Sequence, residues 1–118
     1  MTARIPLTLV TGASAGARER AIASQLQPGT AVILEGLPDG NSPLPTSPAI
    51  ARIAPGCLCC TGNLVLRVTL NRLLRQRPSR LFIGVARGEH LDQLRSWLQA
   101  EPYDQLLRLT PDLISSPS

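Results

Sequence analysis

The sequence predicts an α/β domain in which a mostly parallel sheet carries helices on its faces. Short apolar runs of strand length alternate with segments whose apolar residues recur at helical spacing, and this alternation is typical of parallel sheets. The chain has 118 residues, which is enough for one hydrophobic core. We therefore expect a single domain over residues 1–112, a sheet of about four or five strands, and a tail at residues 113–118.

Each predicted strand is an apolar run with glycine, proline or a charged residue within two positions of each end. The runs are Ile5 to Thr11, Thr30 to Leu34, Ile50 to Ile53, Arg80 to Val85 and Leu106 to Leu109. The first two are apolar almost throughout, as in strands that are covered on both faces. Glu35 follows the second run, at the carboxyl end of a strand, where binding sites of open α/β sheets lie.

Three segments between these runs have helical periodicity. They are Ala17 to Leu26, Asn63 to Gln76 and Glu89 to Leu98. In the second segment Leu66, Leu70, Leu73 and Leu74 share one face, so we expect that face to pack on the sheet. Residues 37–48 are rich in proline, glycine and serine, which predicts a flexible loop.

The composition argues against two classes of partner. All 12 basic residues are arginine, and they are spread along the chain without interleaved aromatic residues, which is not typical of a nucleic-acid surface. No apolar run is long enough to span a bilayer, and no signal peptide is recognisable. We therefore expect a cytoplasmic protein that binds neither nucleic acid nor membrane.

All 3 cysteines lie in the segment Gly56-Cys57-Leu58-Cys59-Cys60-Thr61. Thiols this close in sequence could be bridged only with strain. Clustered thiolates are soft ligands suited to Zn(II) or Cu(I), and Pro55-Gly56 predicts a turn that would point sulfurs inward. In a reducing compartment this pattern indicates metal binding or redox chemistry. The alternative is that the cysteines are small half-buried residues without a chemical role.

A metal site in this segment would need a ligand besides the sulfurs, because a closed zinc site is usually tetrahedral. The further ligand would be water, His90, a carboxylate such as Glu35, or a group of a second chain. A lone histidine at the start of a predicted helix is more often a surface or capping residue than a ligand. Arg52, a few residues before the cysteines, would favour their thiolate form.

The connection after the first predicted strand stands where a phosphate-binding loop would stand. Gly12 begins the pattern G-x-x-x-x-G-K-[ST] between a strand and a helix, where backbone N–H groups can face an anion. The next fixed positions are Ala17, Arg18 and Glu19, so arginine replaces the lysine and a carboxylate replaces the hydroxyl that ligates Mg²⁺. Gly12, Gly16 and Arg18 are the candidates for holding a phosphate. The alternative is a small-residue turn that lets strand and helix pack closely.

The chain resembles the amino-terminal half of the CobW-type metallochaperone GTPases, which are relatives of the urease and hydrogenase nickel-insertion GTPases. The shared parts are, in order, a strand, a Gly-rich loop, a helix, a strand ending in Glu, a Pro-rich loop, G-C-L-C-C-T, a helix and a strand. They cover about Ile5 to Leu98, and C-x-C-C is the specific part. The resemblance implies a P-loop-NTPase-like fold. It also implies a metal, often zinc, bound by Cys57, Cys59 and Cys60 beside a site for GTP and Mg²⁺.

The chain departs from that family at the parts that GTP hydrolysis needs. The family's phosphate loop reads roughly T-G-F-L-G-A-G-K-T-T, whereas residues 11–20 read T-G-A-S-A-G-A-R-E-R. The family's Glu-Thr-(Ser/Thr)-Gly turn falls on Gly84 to Arg87, which reads G-V-A-R. Because phosphoryl transfer depends on positioning phosphates and Mg²⁺, we expect no GTP turnover by this chain alone.

The sequence leaves several functions open. The first is a small metal-binding protein, related to metallochaperones, that binds Zn(II) and has lost GTPase activity. The second is a residual nucleotide or phosphate binder that does not cleave its ligand. The third is a thiol-redox or interaction module, because a shortened sheet leaves an edge that invites a second copy or another protein. The partners implied are a metal ion, a homodimer that completes the metal site, and a protein that receives the metal.

Overall fold

A computed structural model of the protein describes residues 4–12, 14–35, 44, 49–53, 64–85 and 91–114. The elements are β1 (Ile5–Thr11), α1 (Ala15–Ala23), β2 (Thr30–Glu35), β3 (Ile50–Ile53), α2 (Leu64–Arg75), β4 (Arg80–Gly84), α3 (Leu91–Leu98), α4 (Tyr103–Leu106), β5 (Leu107–Leu109) and β6 (Leu113–Ile114). A parallel sheet flanked by helices is therefore confirmed. The predicted flexible loop falls almost wholly on residues outside the described ranges.

The strands pair in the order β3-β2-β4-β1-β5, with β6 also on β1, and the pairs that the described strands form are parallel. Parallel neighbours cannot be joined by a tight hairpin, so their connections must cross over the sheet. β1 is central, with Leu7 in register with Leu81 on one side and with Leu109 on the other. β3 is the edge strand on the far side of β2.

The last strand position is shared by β5 and β6, which pair with the beginning and the end of β1. Pro111 lies between them and has no N–H to give to the ladder. The N–H of Thr110 donates to the carbonyl of Leu7 over 2.9 Å. Leu113 and Ile114 were expected to begin a tail but form β6, because β1 offers them its unpaired end. The described sheet thus has 6 strands, more than the sequence predicted.

Alternate residues of the strands face two separate apolar cores, one with α2, α3 and α4 and the other with α1. The first core contains Leu7, Leu9, Ile33 and Ile83 from the sheet with Leu66, Leu70, Leu73, Leu94 and Leu98 from the helices. The second contains Val10, Val32, Leu34 and Phe82 from the sheet with Ile22 from α1. Because both faces are covered, the central strands read as nearly continuous apolar runs.

The helices match the predicted segments at their centres and differ at their ends. α1 begins and ends earlier than predicted, at Ala15 and Ala23. α2 differs from its prediction by one residue at each end, and the chain then turns through Arg77, whose φ is 52°. α4 was not predicted. None of the helices in the described ranges combines the length and the apolarity that a bilayer crossing requires.

Candidate functional site

The carboxyl ends of β1, β2, β3 and β4 meet at one edge of the sheet, because these strands are parallel. Glu35 ends β2, Arg52 is the penultimate residue of β3, and Gly12 follows β1. The first half of α1, which contains Arg18 and Glu19, begins at the same edge. We call Arg18, Glu19, Glu35 and Arg52 the charge cluster.

The connection from β1 to α1 is short and is closed by Ser14. Ser14 is the N-cap of α1, with an extended backbone of φ −144° and ψ 160°, and its Oγ accepts a hydrogen bond from the N–H of Ala17 over 3.1 Å. One of the N–H groups that a helix N-terminus can offer to an anion is therefore used by the cap. Because α1 begins at Ala15, the predicted phosphate-loop residue Gly16 lies inside the helix.

Arg18 stands at the lysine position of the phosphate-loop pattern and turns back towards β1. Its Nη1 donates a hydrogen bond to the carbonyl oxygen of Gly12 over 3.1 Å, and the side chain is buried. Burial lowers the pKa of Arg18 below its ordinary value, while the negative charges of Glu35 and Glu19 act in the opposite direction. The guanidinium remains charged at neutral pH, since arginine is not deprotonated in proteins.

Glu19 stands at the hydroxyl position of the same pattern and forms a two-pronged ion pair with Arg52. Nη1 and Nη2 of Arg52 donate to Oε2 and Oε1 of Glu19 over 3.1 and 3.0 Å. The side chains of Arg52 and Glu19 are only 20% and 8% exposed. Bidentate pairs of this kind are both strong and directional. The ion pair therefore joins the first half of α1 to the carboxyl end of β3.

The charge cluster is balanced within itself. Its two guanidinium groups and two carboxylates sum to a formal charge of zero, and Arg18 feels the charges of both Glu19 and Glu35. Buried charges persist when they have partners of opposite sign. No added anion is needed to neutralise the guanidinium groups of the cluster.

Glu35 lies beside the strand end that leads to the cysteine segment. It is buried, and its Cα is the register partner of the Cα of Ile53, the last residue of β3. Cys57 comes four positions after Ile53 in the chain. The structure therefore places one of the two predicted further ligands, Glu35, next to the point where the chain leaves the sheet for the cysteines.

The predicted ligands Cys57, Cys59, Cys60 and His90 lie outside the described residues, and their roles stay predictions. Within the described ranges, no group of at least 3 His, Cys, Asp or Glu side chains is placed to hold a metal ion. The described part of the site thus consists of the charge cluster and the β1–α1 connection.

β4 ends at Gly84, where the resemblance would put a glutamate. A methyl group on Gly84 would lie 3.0 Å from Cδ2 of Leu34 and 3.7 Å from Cδ1 of Ile22. The first distance is tighter than an ordinary van der Waals contact, so β2 and α1 approach this strand end closely. A carboxylate-bearing side chain at this position would force Leu34 to move.

Sequence reasoning missed the pair of Glu19 and Arg52. It gave Glu19 only as the carboxylate that replaces the Mg²⁺-ligating hydroxyl, and Arg52 as a group that would favour thiolates. In the structure the cation beside Glu19 is the guanidinium of Arg52. Glu19 lies in a predicted helix and Arg52 in a predicted strand, and this was the available signal. However, 33 positions separate the two residues, and how α1 lies against β3 is not visible in the sequence.

The chain is similar to a curated protein of Escherichia coli (strain K12), zinc chaperone YeiR, with 37% identity over 65 residues. The match covers 54% of this chain and 20% of YeiR, so the chain spans about a fifth of that relative. No protein-family model matches the chain, and no solved structure matches it. The match relates part of this chain to part of a zinc chaperone.

Proposed function

We propose that the chain binds Zn(II) through Cys57, Cys59 and Cys60 and acts as a metal carrier that does not hydrolyse GTP. The observation that carries the loss of GTP hydrolysis is that Arg18 and Glu19, at the lysine and hydroxyl positions of the phosphate-loop pattern, are both bound to protein groups. The similarity to a zinc chaperone supports the metal part of the proposal.

The contacts of Arg18 and Glu19 do not suit a magnesium nucleotide. In a phosphate loop the lysine reaches the β- and γ-phosphates and the hydroxyl ligates Mg²⁺. Here a phosphate would have to draw Arg18 away from the carbonyl of Gly12, and Mg²⁺ would have to compete with Arg52 for Glu19. The phosphate charge would also approach two carboxylates. These arguments support the loss of GTP hydrolysis.

For the metal, three thiolates would provide the soft ligands that zinc prefers. Of the two further ligands predicted from the sequence, Glu35 is favoured by its place beside Ile53. A second copy of the chain is the other source of a ligand, since β3 is an edge strand that another chain can approach. A protein that receives the metal is the partner class that a carrier requires.

The zinc content and affinity of protein purified under reducing conditions test the metal part. Wild type is compared with a variant in which all three cysteines are changed to serine, and native mass is recorded in the same experiment. We expect one zinc per chain, or one per dimer, in wild type and none in the variant. A wild type that holds no zinc beyond weak surface binding would refute the metal part of the proposal.

Two further variants, Glu35→Gln and His90→Gln, test which of these two residues is the further zinc ligand. Loss of the Glu35 carboxylate should weaken zinc binding more than loss of the His90 imidazole. Equal and normal affinity in both variants, together with one zinc per dimer, would instead assign the ligand to the second copy. Rates of thiol modification with and without zinc separate metal binding from redox chemistry, because bound zinc should protect the thiolates.

The nucleotide part is tested by titrating the protein with a fluorescent GTP analogue in the presence of Mg²⁺. We expect no saturable binding by wild type. The variant Ala17→Gly/Arg18→Lys/Glu19→Thr restores the residue types of the phosphate-loop pattern and serves as the comparison. Saturable binding or hydrolysis by wild type would contradict the proposal and would favour the residual nucleotide binder.

A further inference from the structure

We infer that Glu19 and Arg52 are positioning residues for the cysteine segment: their ion pair holds the end of β3 from which the chain leads to Cys57. The inference rests on the proposed zinc function and gives it a structural basis. The metal ligands would be pre-arranged by an ion pair inside the protein, in the place where the sequence pattern would otherwise put Mg²⁺ and phosphate.

β3 needs such support because it is short and lies at the edge of the sheet. It has 4 residues, and only Ile53 among them is buried. It pairs with β2 on one side, and the described part of the chain places no strand on its other side. Edge segments with few buried side chains open more readily than central strands. Contacts at the end of β3 therefore decide how well this strand end is held.

Arg52 and Ile53 anchor this end from opposite faces of the sheet. Ile53 packs in the core beneath α2, whereas Ile50, two positions before Arg52, packs in the core beneath α1. Since side chains alternate along a strand, Arg52 shares the face of Ile50, where Glu19 of α1 receives it. The planar fork of arginine fixes direction as well as distance, so the ion pair limits rotation of the strand end.

Zinc affinity should be sensitive to this arrangement. Ligands that are already close together lose little freedom when the metal binds, whereas loosely held ligands must first be ordered. Groups that orient metal ligands from outside the coordination shell typically change affinity by about 10- to 100-fold when they are mutated. We therefore expect Glu19→Gln to raise the zinc dissociation constant by about tenfold or more.

The variant Arg52→Lys separates positioning from simple electrostatics. It keeps the positive charge, which favours the thiolates and opposes the metal, so simple electrostatics predicts unchanged zinc binding. Positioning predicts weaker binding in Arg52→Lys, Arg52→Gln and Glu19→Gln, because each change breaks or loosens the same ion pair. The three variants are therefore measured together.

The experiment measures the zinc dissociation constant by competition with a chromophoric chelator, under reducing conditions, and the rate of cysteine modification in the metal-free protein. Arg52→Lys keeps the charge but loses the fork, and it serves if the glutamine variants fold poorly. The exchanged variant Glu19→Arg/Arg52→Glu should recover much of the affinity. Asp92→Asn is the matched control, because Asp92 forms an exposed ion pair with Arg95 on α3.

Weaker zinc binding and faster cysteine modification in Glu19→Gln, Arg52→Gln and Arg52→Lys, with Asp92→Asn unchanged, would support the inference. Opposite shifts in the two glutamine variants, or unchanged zinc affinity in folded variants, would overturn it and leave the proposed function standing. If wild type bound no zinc, the proposed function would fail. The modification rates would still decide the positioning role, since equal rates in all variants would overturn it.

Discussion

The hydroxyl of Tyr103 donates a hydrogen bond to Oδ1 of Asn71 over 2.9 Å, and this bond joins α4 to α2. The ring of Tyr103 is buried in the core beneath α2 and α3, with its centroid 4.8 Å from that of Trp97. α4 has 4 residues, which is too few for a helix to be stable by itself. Tertiary contacts such as those of Tyr103 therefore hold α4 in place.

Tyr103→Phe should lower the free energy of unfolding by about 1 kcal/mol, because it removes one hydrogen bond and keeps the buried ring. Tyr103→Ala should lower it by about 3–5 kcal/mol, because it also leaves a cavity. Urea denaturation followed by circular dichroism measures both. If the hydrogen bond is the cause, Tyr103→Phe should add little to Asn71→Ala in a double-mutant cycle.

The same residue gives a prediction on pH. Burial raises the pKa of the Tyr103 hydroxyl above its ordinary value of 10.0, while Arg67 and the hydrogen bond to Asn71 act in the opposite direction. A group whose pKa is raised by folding stabilises the protein below its unfolded pKa. The contribution should thus be complete below about pH 10 and should be lost as pH rises through the raised folded value.

The composition of the chain allows the titration of Tyr103 to be separated from that of other side chains. The chain has 1 tyrosine, and all 12 of its basic residues are arginine, so the cysteine thiols are the other side chains expected to titrate nearby. In a background with the cysteines changed to serine, the unfolding free energy should fall as pH rises above the ordinary tyrosine pKa of about 10. Tyr103→Phe should flatten that dependence, and an unchanged slope would contradict the assignment.

Substitution of alanine for Gly16 and for Gly29 should change the stability of the protein in opposite directions. Gly16 lies inside α1, and an added methyl group would lie 3.1 Å from the guanidinium end of the exposed Arg20 and 4.0 Å from Oγ of Ser14. Gly16→Ala should therefore stabilise the protein by about 0.5–1 kcal/mol. Gly29 has φ +84°, and its methyl group would lie 2.8 Å from Oγ of Ser79. Gly29→Ala should destabilise by about 1–2 kcal/mol or more.

Thermal unfolding of the two variants side by side tests this prediction. A Gly16→Ala variant that is clearly less stable than wild type would mean that Gly16 does not have the helical backbone described above. Gly16 is a predicted phosphate-loop residue and is not among the predicted metal ligands. The stabilised variant should therefore bind zinc with normal affinity.

Leu70 and Val68 of α2 form a matched pair for testing the packing of that helix. Leu70 is 0% exposed and Val68 is 66% exposed. Leu70→Ala should lower the free energy of unfolding by about 2–5 kcal/mol, because it leaves a cavity beneath the helix. Val68→Ala should change it by no more than about 0.5 kcal/mol. Comparable losses in the two variants would mean that α2 is rotated about its axis.

The predictions succeeded where a local pattern sufficed. Apolar runs gave β1 and β3 with their observed ends, and the spacing of Leu66, Leu70 and Leu73 gave the buried face of α2. They failed where partners distant in sequence decide the structure. The two residues of β6 form a strand because they pair with the end of β1. The helix α4 forms because the side chain of Tyr103 is buried in the core.

The sequence by itself determined the class of fold and the location of every cysteine in one segment, because apolar periodicity and residue spacing are local properties. It also determined that Arg18 and Glu19 replace the lysine and the hydroxyl of the phosphate-loop pattern. Only the tertiary structure decided what these replacements contact. The carboxylate of Glu19 pairs with Arg52 because parallel strand pairing brings the end of β3 to the edge of the sheet where α1 begins. The two residues are 33 positions apart, and nothing in the sequence between them indicates that they meet.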